Sequence, residues 1–354
     1  MRKVWKVVAA AVMAVLVGAR SPASEAGFGV PATTPAFAGS FEVLTYNVKG
    51  LPWPAAFDRP PALARIGERL RSLHNAGQAP AIVVLQEAFT DEAQTIGRAG
   101  GYRYIASGPG PQDAATSHMT DRDEAYAENG HWWVGETEGK LVGSGLQVLS
   151  DYPIIAVHRM AFPAFACAGF DCLANKGALL ATIAIPGAPT PIDVLTTHLN
   201  SRHASHVSDA RSAYAYRRQV AELTAFVRRV HDRRFPLIAA GDFNVGSAAV
   251  RRTALLGAVR SQWVPGVAVR DALGQFQRQG GVLAEDADYS LTRARDWQFY
   301  ADGAHGQLAV TGISVPFGRD KTGGMLSDHI GYGARFKLIA SEGPGTTSSA
   351  RPTG

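Results

Sequence analysis

Apolar residues along this chain fall into short runs, bounded by glycine, proline and small polar residues, that alternate with longer stretches of helical spacing. The runs are rich in β-branched and aromatic residues and predict strands at 41–47, 81–86, 145–150, 178–185, 192–197, 236–240, 297–300 and 329–337. Helices are predicted over 60–74, where Pro60 and Pro61 suit a first turn, and over 209–233, where Ala213, Tyr216, Val220, Leu223, Phe226 and Val227 recur on one face. Strands alternating with helices mark a layered α/β domain. That domain is expected over 41–338, after a Pro/Ala/Thr/Gly-rich linker at 27–40 and before a loose Gly/Pro/Ser/Thr-rich tail at 339–354.

Composition narrows the class. Of 354 residues, 46% are hydrophobic and 18% charged, which excludes a disordered or fibrous chain and allows one large core. Residues 1–26 read as an export signal: Arg2, Lys3 and Lys6 precede an apolar run from Val7 to Ala19, and small residues follow. The run is shorter than the roughly 20 residues a membrane span needs, so the mature protein is expected in the periplasm or outside the cell. The formal charge of +5 falls to +2 once the leader's four basic residues and Glu25 are removed, a balance that separates neither nucleic acid nor membrane as partner. The only cysteines, Cys167 and Cys172, lie close together and can close a small disulfide ring in an oxidising compartment; a zinc site would need further ligands there.

Polar residues cluster where apolar runs end. Asn47 closes one run and Glu87 another; a carboxylate at the exit of a buried strand is costly unless it binds a cation, and hard oxygen donors suit Mg²⁺. His198 ends a β-branched run and offers a side chain that exchanges protons near neutrality. Asp242 and Asn244 stand two residues apart, hence on one face of an extended segment. Asp328 and His329 open the last run.

Taken in order, this series of Asn, Glu, His, Asp-x-Asn and Asp-His resembles the motifs of the endonuclease/exonuclease/phosphatase superfamily, over 41 to about 338. The resemblance implies a DNase I-like four-layer sandwich: two mostly antiparallel sheets packed face to face, flanked by helices, with phosphoester hydrolysis at one rim. It places Asn47 and Glu87 at the metal, Asp242 and Asn244 at the phosphate and nucleophile, and Asp328 and His329 at the terminal pair that includes the base. Asp296, before Trp297, is the best match for the carboxylate that orients that base. Mg²⁺ is the expected cofactor, with Mn²⁺ or Co²⁺ as alternatives.

The segment from Cys167 to Gly177 resembles the sphingomyelinases, in which an Asp precedes the Lys of an Asn-Lys-Gly motif by five positions; Asp171 and Lys176 take those places and would bind substrate. The resemblance implies a monomer acting on a phospholipid membrane surface. Their exposed aromatic hairpin has no clear counterpart between 297 and 327, whereas Trp132, Trp133, Phe162 and Phe165 can form an apolar edge. The alternative is a secreted DNase I-like nuclease, with Arg217, Arg218, Arg228, Arg229, Arg233, Arg234, Arg251 and Arg252 as phosphate contacts. A non-catalytic binding module is disfavoured because every motif position keeps its chemical type.

Overall fold

The computed structural model describes residues 36–115 and 117–341. The expected leader, most of the linker and the tail beyond 341 lie outside the described residues. Among the described residues, twelve strands form two six-stranded sheets. The first has the order β11-β12-β1-β2-β4-β3 and the second β5-β6-β7-β8-β10-β9. In the first sheet, β1 (Ser40–Gly50), β2 (Ile82–Ala88), β3 (Tyr104–Ser107) and β4 (Gln147–Ser150) join the hairpin of β11 (Gly306–Phe317) and β12 (Gly331–Ala340). The second comprises β5 (Ile154–Ala161), β6 (Gly177–Ile183), β7 (Ile192–Thr197), β8 (Leu237–Asp242), β9 (Arg270–Asp271) and β10 (Asp296–Ala301).

Alternation along the strands decides which side chains meet which layer. Val43, Val84, Leu179, Val194, Ile238 and Phe336 point between the sheets and form the central core. Their neighbours Leu44, Leu85 and Val83 face the other way, against Leu63, Ile66 and Leu70 of α1 (Arg59–Asn75) and Ile96 of α2 (Asp91–Gly100). On the far side, Leu180, Leu195 and Ala239 pack on Tyr216, Val220 and Leu223 of α4 (Asp209–Val230) and Leu255 of α5 (Ala249–Ser261). The result is the four-layer DNase I-like sandwich. Between α2 and α4 runs a short helix, α3 (Asp121–Glu128), and two more, α6 (Ala272–Arg278) and α7 (Glu285–Arg293), precede β10.

Most pairings are antiparallel. The exceptions are β1 with β2 and β7 with β8, each a parallel pair joined by one crossover helix, α1 or α4. Both pairs therefore end at the same rim, and β10 and β12, running antiparallel to their neighbours, begin there: Asp296 pairs with Asp242 and Tyr332 with Thr45.

Several elements escaped the sequence pattern. β5 and β11 are half-exposed edge strands, and Pro316 and a bulge near Gly312 break the alternation of β11. In α2, Gly97 sits where a Cβ would come within 2.5 Å of Leu149, so the glycine that weakens the helical pattern is what lets the helix lie close on the sheet. α4 stops at Val230, earlier than expected, because His231 Nδ1 and the Asp232 amide both bond the Asp193 carboxylate (2.8 and 3.1 Å) and turn the chain out of the helix. β12 runs to Ala340, two residues past the expected domain end.

A titratable latch ties the layers together at the opposite side of the first sheet. His74 of α1 places Nδ1 2.7 Å from the Gly100 carbonyl and Nε2 3.1 Å from Asp151 Oδ1, so both ring nitrogens face acceptors and the ring is held as imidazolium. Burial opposes the charge, but the bonds to Asp151 outweigh it and raise the pKa. The stabilisation is complete below the unfolded-state value of about 6.5 and is lost as pH rises through the raised folded-state value. We expect His74→Gln to cost roughly 1 kcal/mol at pH 5.5 and less at pH 9, read as converging melting temperatures; a pH-independent difference would refute the latch.

Candidate active site

Each strand end delivers one polar side chain to the rim. Asn47, fully buried in β1, donates from Nδ2 to Glu87 Oε1 (2.8 Å) and Asp242 Oδ2 (3.2 Å), while its Oδ1 accepts from the Lys49 amide (3.0 Å). Glu87 has a left-handed backbone, φ 57°, a strain of roughly 1–2 kcal/mol for a residue with a Cβ. Burial pushes its carboxyl pKa up, against the pull of Asn47.

Two buried histidines flank Asp242. His198 Nε2 lies 3.6 Å from Asp242 Oδ2 and 3.9 Å from Glu87 Oε1, and His329 Nε2 lies 3.7 Å from Asp242 Oδ2. Behind His329, both Asp296 oxygens approach Nδ1 at 2.9 Å, which leaves Nε2 as the ring nitrogen aimed into the cluster. The two imidazoles are driven apart. Burial, reinforced by Lys176, brings the His198 pKa down to about 4. Burial also opposes charge on His329, but Asp296 and Asp242 overcome it and hold the pKa up at about 9. Burial raises the Asp296 carboxyl as well. Both shifts describe one proton between Oδ and Nδ1, and we place it on the imidazole because Asp242 stabilises the cation from the other side. Despite its own burial, Asp242 is held low by His329 and His198.

The Cys167–Cys172 disulfide closes a small ring beside His198. Within it, Asp171 lies in a 3-10 turn (Gly169–Leu173), accepts from the Ser201 amide and pairs with Lys176 Nζ at 3.0 Å. The same ammonium is 3.4 Å from His198 Nε2 and donates to the Leu199 carbonyl (3.3 Å). A lysine ammonium can only donate, so His198 Nε2 accepts and the ring is neutral. Asn244, at φ 48°, donates from Nδ2 to the Leu199 carbonyl (2.9 Å) and ties the two post-strand loops together.

The Endonuclease/Exonuclease/phosphatase family profile matches residues 44–329, from β1 to His329. The chain belongs to this family. No curated protein matches the sequence. Solved structures with the same fold include a Staphylococcus aureus beta toxin variant with bound magnesium ions (16% identity, TM-score 0.54, covering 83% of this chain and 99% of that one). Sphingomyelinase C from Streptomyces griseocarneus aligns at 22% identity and TM-score 0.50, covering 84% and 99%. TDP2 from D. rerio, complexed with a single-strand DNA product, aligns at 14% and 0.51, covering 84% and 98%. At these identities the likeness shows the fold alone.

Of the residues singled out by the family motifs, Asn47, Glu87, His198, Asp242, Asp296 and His329 converge, with Lys176 and Asp171 in contact through His198. Asp328 stands apart: its side chain is half exposed at the mouth and pairs with Lys49 at 3.5 Å, while its carbonyl accepts from Arg293. Two expectations outside the motifs need correction. Phe162 is buried in the core behind the second sheet, so it forms no edge, whereas Trp132 and Trp133 are 59% and 57% exposed. Arg251 cannot contact an outside phosphate because it is 1% exposed, and Arg218 is occupied by Asp123 (2.9 Å) and Glu222 (3.2 Å). Sequence reading missed Arg59, whose guanidinium donates to the carbonyls of Val48, Lys49 and Leu326 (2.8, 2.8 and 2.7 Å) and so clips the β1 exit to the loop before His329. An arginine at a helix start carries no signal for that role.

Proposed function

We propose that this chain is an exported, Mg²⁺-dependent phosphodiesterase that hydrolyses the phosphodiester of sphingomyelin or a related choline phospholipid. The observation that carries the lipid reading is the Asp171–Lys176–His198 relay, anchored at Asp171 in the disulfide ring, which joins the sphingomyelinase-like segment to the catalytic cluster. Half-exposed Trp132 and Trp133, whose turn is tied through Glu136 to Gly169, and Phe170 beside Asp171 give the surface around the disulfide ring an apolar character suited to a lipid surface.

The donor set fits a hard dication. Glu87 and Asp242 supply carboxylates with Asn47 between them, and Glu87, His198 and Asp242 bring ligand atoms within 4.8 Å of one another. Glu87 would hold the ion with Asn47, whose carboxamide would have to turn so that Oδ1 rather than Nδ2 faces it, and the bound ion would offset charge on a phosphoryl oxygen. His329, with Nδ1 held by Asp296, takes the proton of the attacking water through Nε2 in its neutral form, which a bound dication would favour by offsetting the Asp242 charge that otherwise holds the ring protonated. Lys176 binds the phosphate of the lipid, and His198 faces the phosphorus or the leaving oxygen. Asn244 keeps the His198 and Asp242 loops in register.

Purified mature protein with Mg²⁺, given sphingomyelin vesicles and plasmid DNA in parallel, tests the reading; DNA cleavage with no lipid turnover would move the protein to the nuclease branch. We further expect Lys176→Ala to reduce sphingomyelin hydrolysis at least tenfold more than hydrolysis of bis(p-nitrophenyl) phosphate, on the order of 1.4 kcal/mol of differential binding. Equal loss on both would make Lys176 a general catalytic group instead.

A further inference from the structure

We infer that Arg251 is a positioning residue of this active site, setting from behind the rim the spacing of the two loops that carry His198 and Asp242. The inference rests on the roles proposed above for that pair. Arg251 is the third residue of α5 and is 1% exposed. Its Nη1 donates to the carbonyls of Asn200 and Asn244 (3.0 Å to the latter), and its Nη2 donates to Ser212 Oγ of α4 at 3.2 Å. The two carbonyls occupy equivalent places, each two residues past a site residue: His198 on one loop, Asp242 on the other. The guanidinium lies 4.4 Å over the Tyr216 ring, and the Tyr216 hydroxyl donates to Phe243 O (2.9 Å), between Asp242 and Asn244. One cation thus clamps both loops to each other and to two helices.

A strut of the fold would not need this charge. Among the described residues no carboxylate lies within ion-pair distance of Arg251; Asp171 and Asp209 act on it only from further away, and burial lowers its pKa. Burying an unpaired cation is costly, whereas an apolar side chain of similar length would fill the space without that cost and leave only the two loop carbonyls without this donor. What the guanidinium adds is a planar fork that reaches two carbonyls in fixed geometry. That geometry matters because a misplacement of about 1 Å in a catalytic group can lower a rate by about 10²-fold.

Arg251 also lines an open cleft of about 230 Å³ with Arg202, Asp209 and Ser212, so a small cation in solution can reach the space its side chain leaves. The test is steady-state hydrolysis of bis(p-nitrophenyl) phosphate with Mg²⁺ by wild type, Arg251→Met and Arg251→Lys, alongside melting temperatures. Arg251→Met is expected to stay folded while kcat falls about 10–100-fold and KM changes much less. Arg251→Lys should recover part of kcat, as should guanidinium added to Arg251→Met below denaturing concentration. Wild-type kcat in a folded Arg251→Met overturns the inference. If that variant does not fold, Arg251→Lys decides: a folded lysine variant with full kcat overturns it and one with reduced kcat supports it, whereas failure of both to fold overturns it by making Arg251 a strut. An inactive wild type refutes the site reading itself, a result distinct from any of these.

Discussion

Replacing His329 with alanine should lower turnover by about 10²–10⁴-fold, the usual contribution of a general base, and leave the fold intact. The side chain sits at a rim, and the last strand begins only at Gly331. Asp296→Asn should act through the same ring. It removes the carboxylate that, with Asp242, holds the imidazole pKa up at about 9, so in metal-free protein the His329 titration followed by NMR moves to lower pH. His198, down at about 4, should not follow it upward. In the double variant the rate should be little worse than in His329→Ala alone, because a residue that works by orienting another has nothing left to orient. Fully additive losses, or an unmoved His329 titration, would separate Asp296 from the base.

Excess chelator should abolish hydrolysis and added Mg²⁺ restore it, and Glu87→Gln is expected to raise the Mg²⁺ requirement or remove turnover altogether. The expected loss is at least 10²-fold at limiting Mg²⁺, on the order of 3 kcal/mol of charge stabilisation. Glu87 already accepts the Asn47 amide and carries a strained backbone, so the neutral variant should fold at least as well as wild type. Its melting temperature supplies the control. Full hydrolysis in chelator would remove the metal from the mechanism, and an unfolded Glu87→Gln would make the carboxylate structural.

Local chemistry determined much of this protein. The continuous apolar runs located the strands that pack on both faces, because a strand buried on both sides must be apolar throughout. Edge strands β5 and β11, half exposed and interrupted, left no such trace. The same local logic singled out the residues that converge at the rim, since most of them stand where an apolar run stops or begins. It found Cys167 and Cys172 as well, five residues apart, because a short ring needs no knowledge of the fold.

Only the tertiary structure decided that these strand ends meet. Asn47 and Asp242 are 195 residues apart, in different sheets, and they touch because two parallel pairs with their crossover helices point the same way while the sheets pack face to face. Tertiary contact also chose among residues of one type: Arg251 and Arg218 read alike as surface arginines, yet one is sealed behind the catalytic loops and the other pairs with Asp123 and Glu222. Asp328 and His329 are adjacent in sequence but face mouth and cluster respectively, because the chain bends there before β12 begins. Long-range pairing is not written in local pattern: its free energy comes from burying two faces against each other, and no single run of sequence contains both.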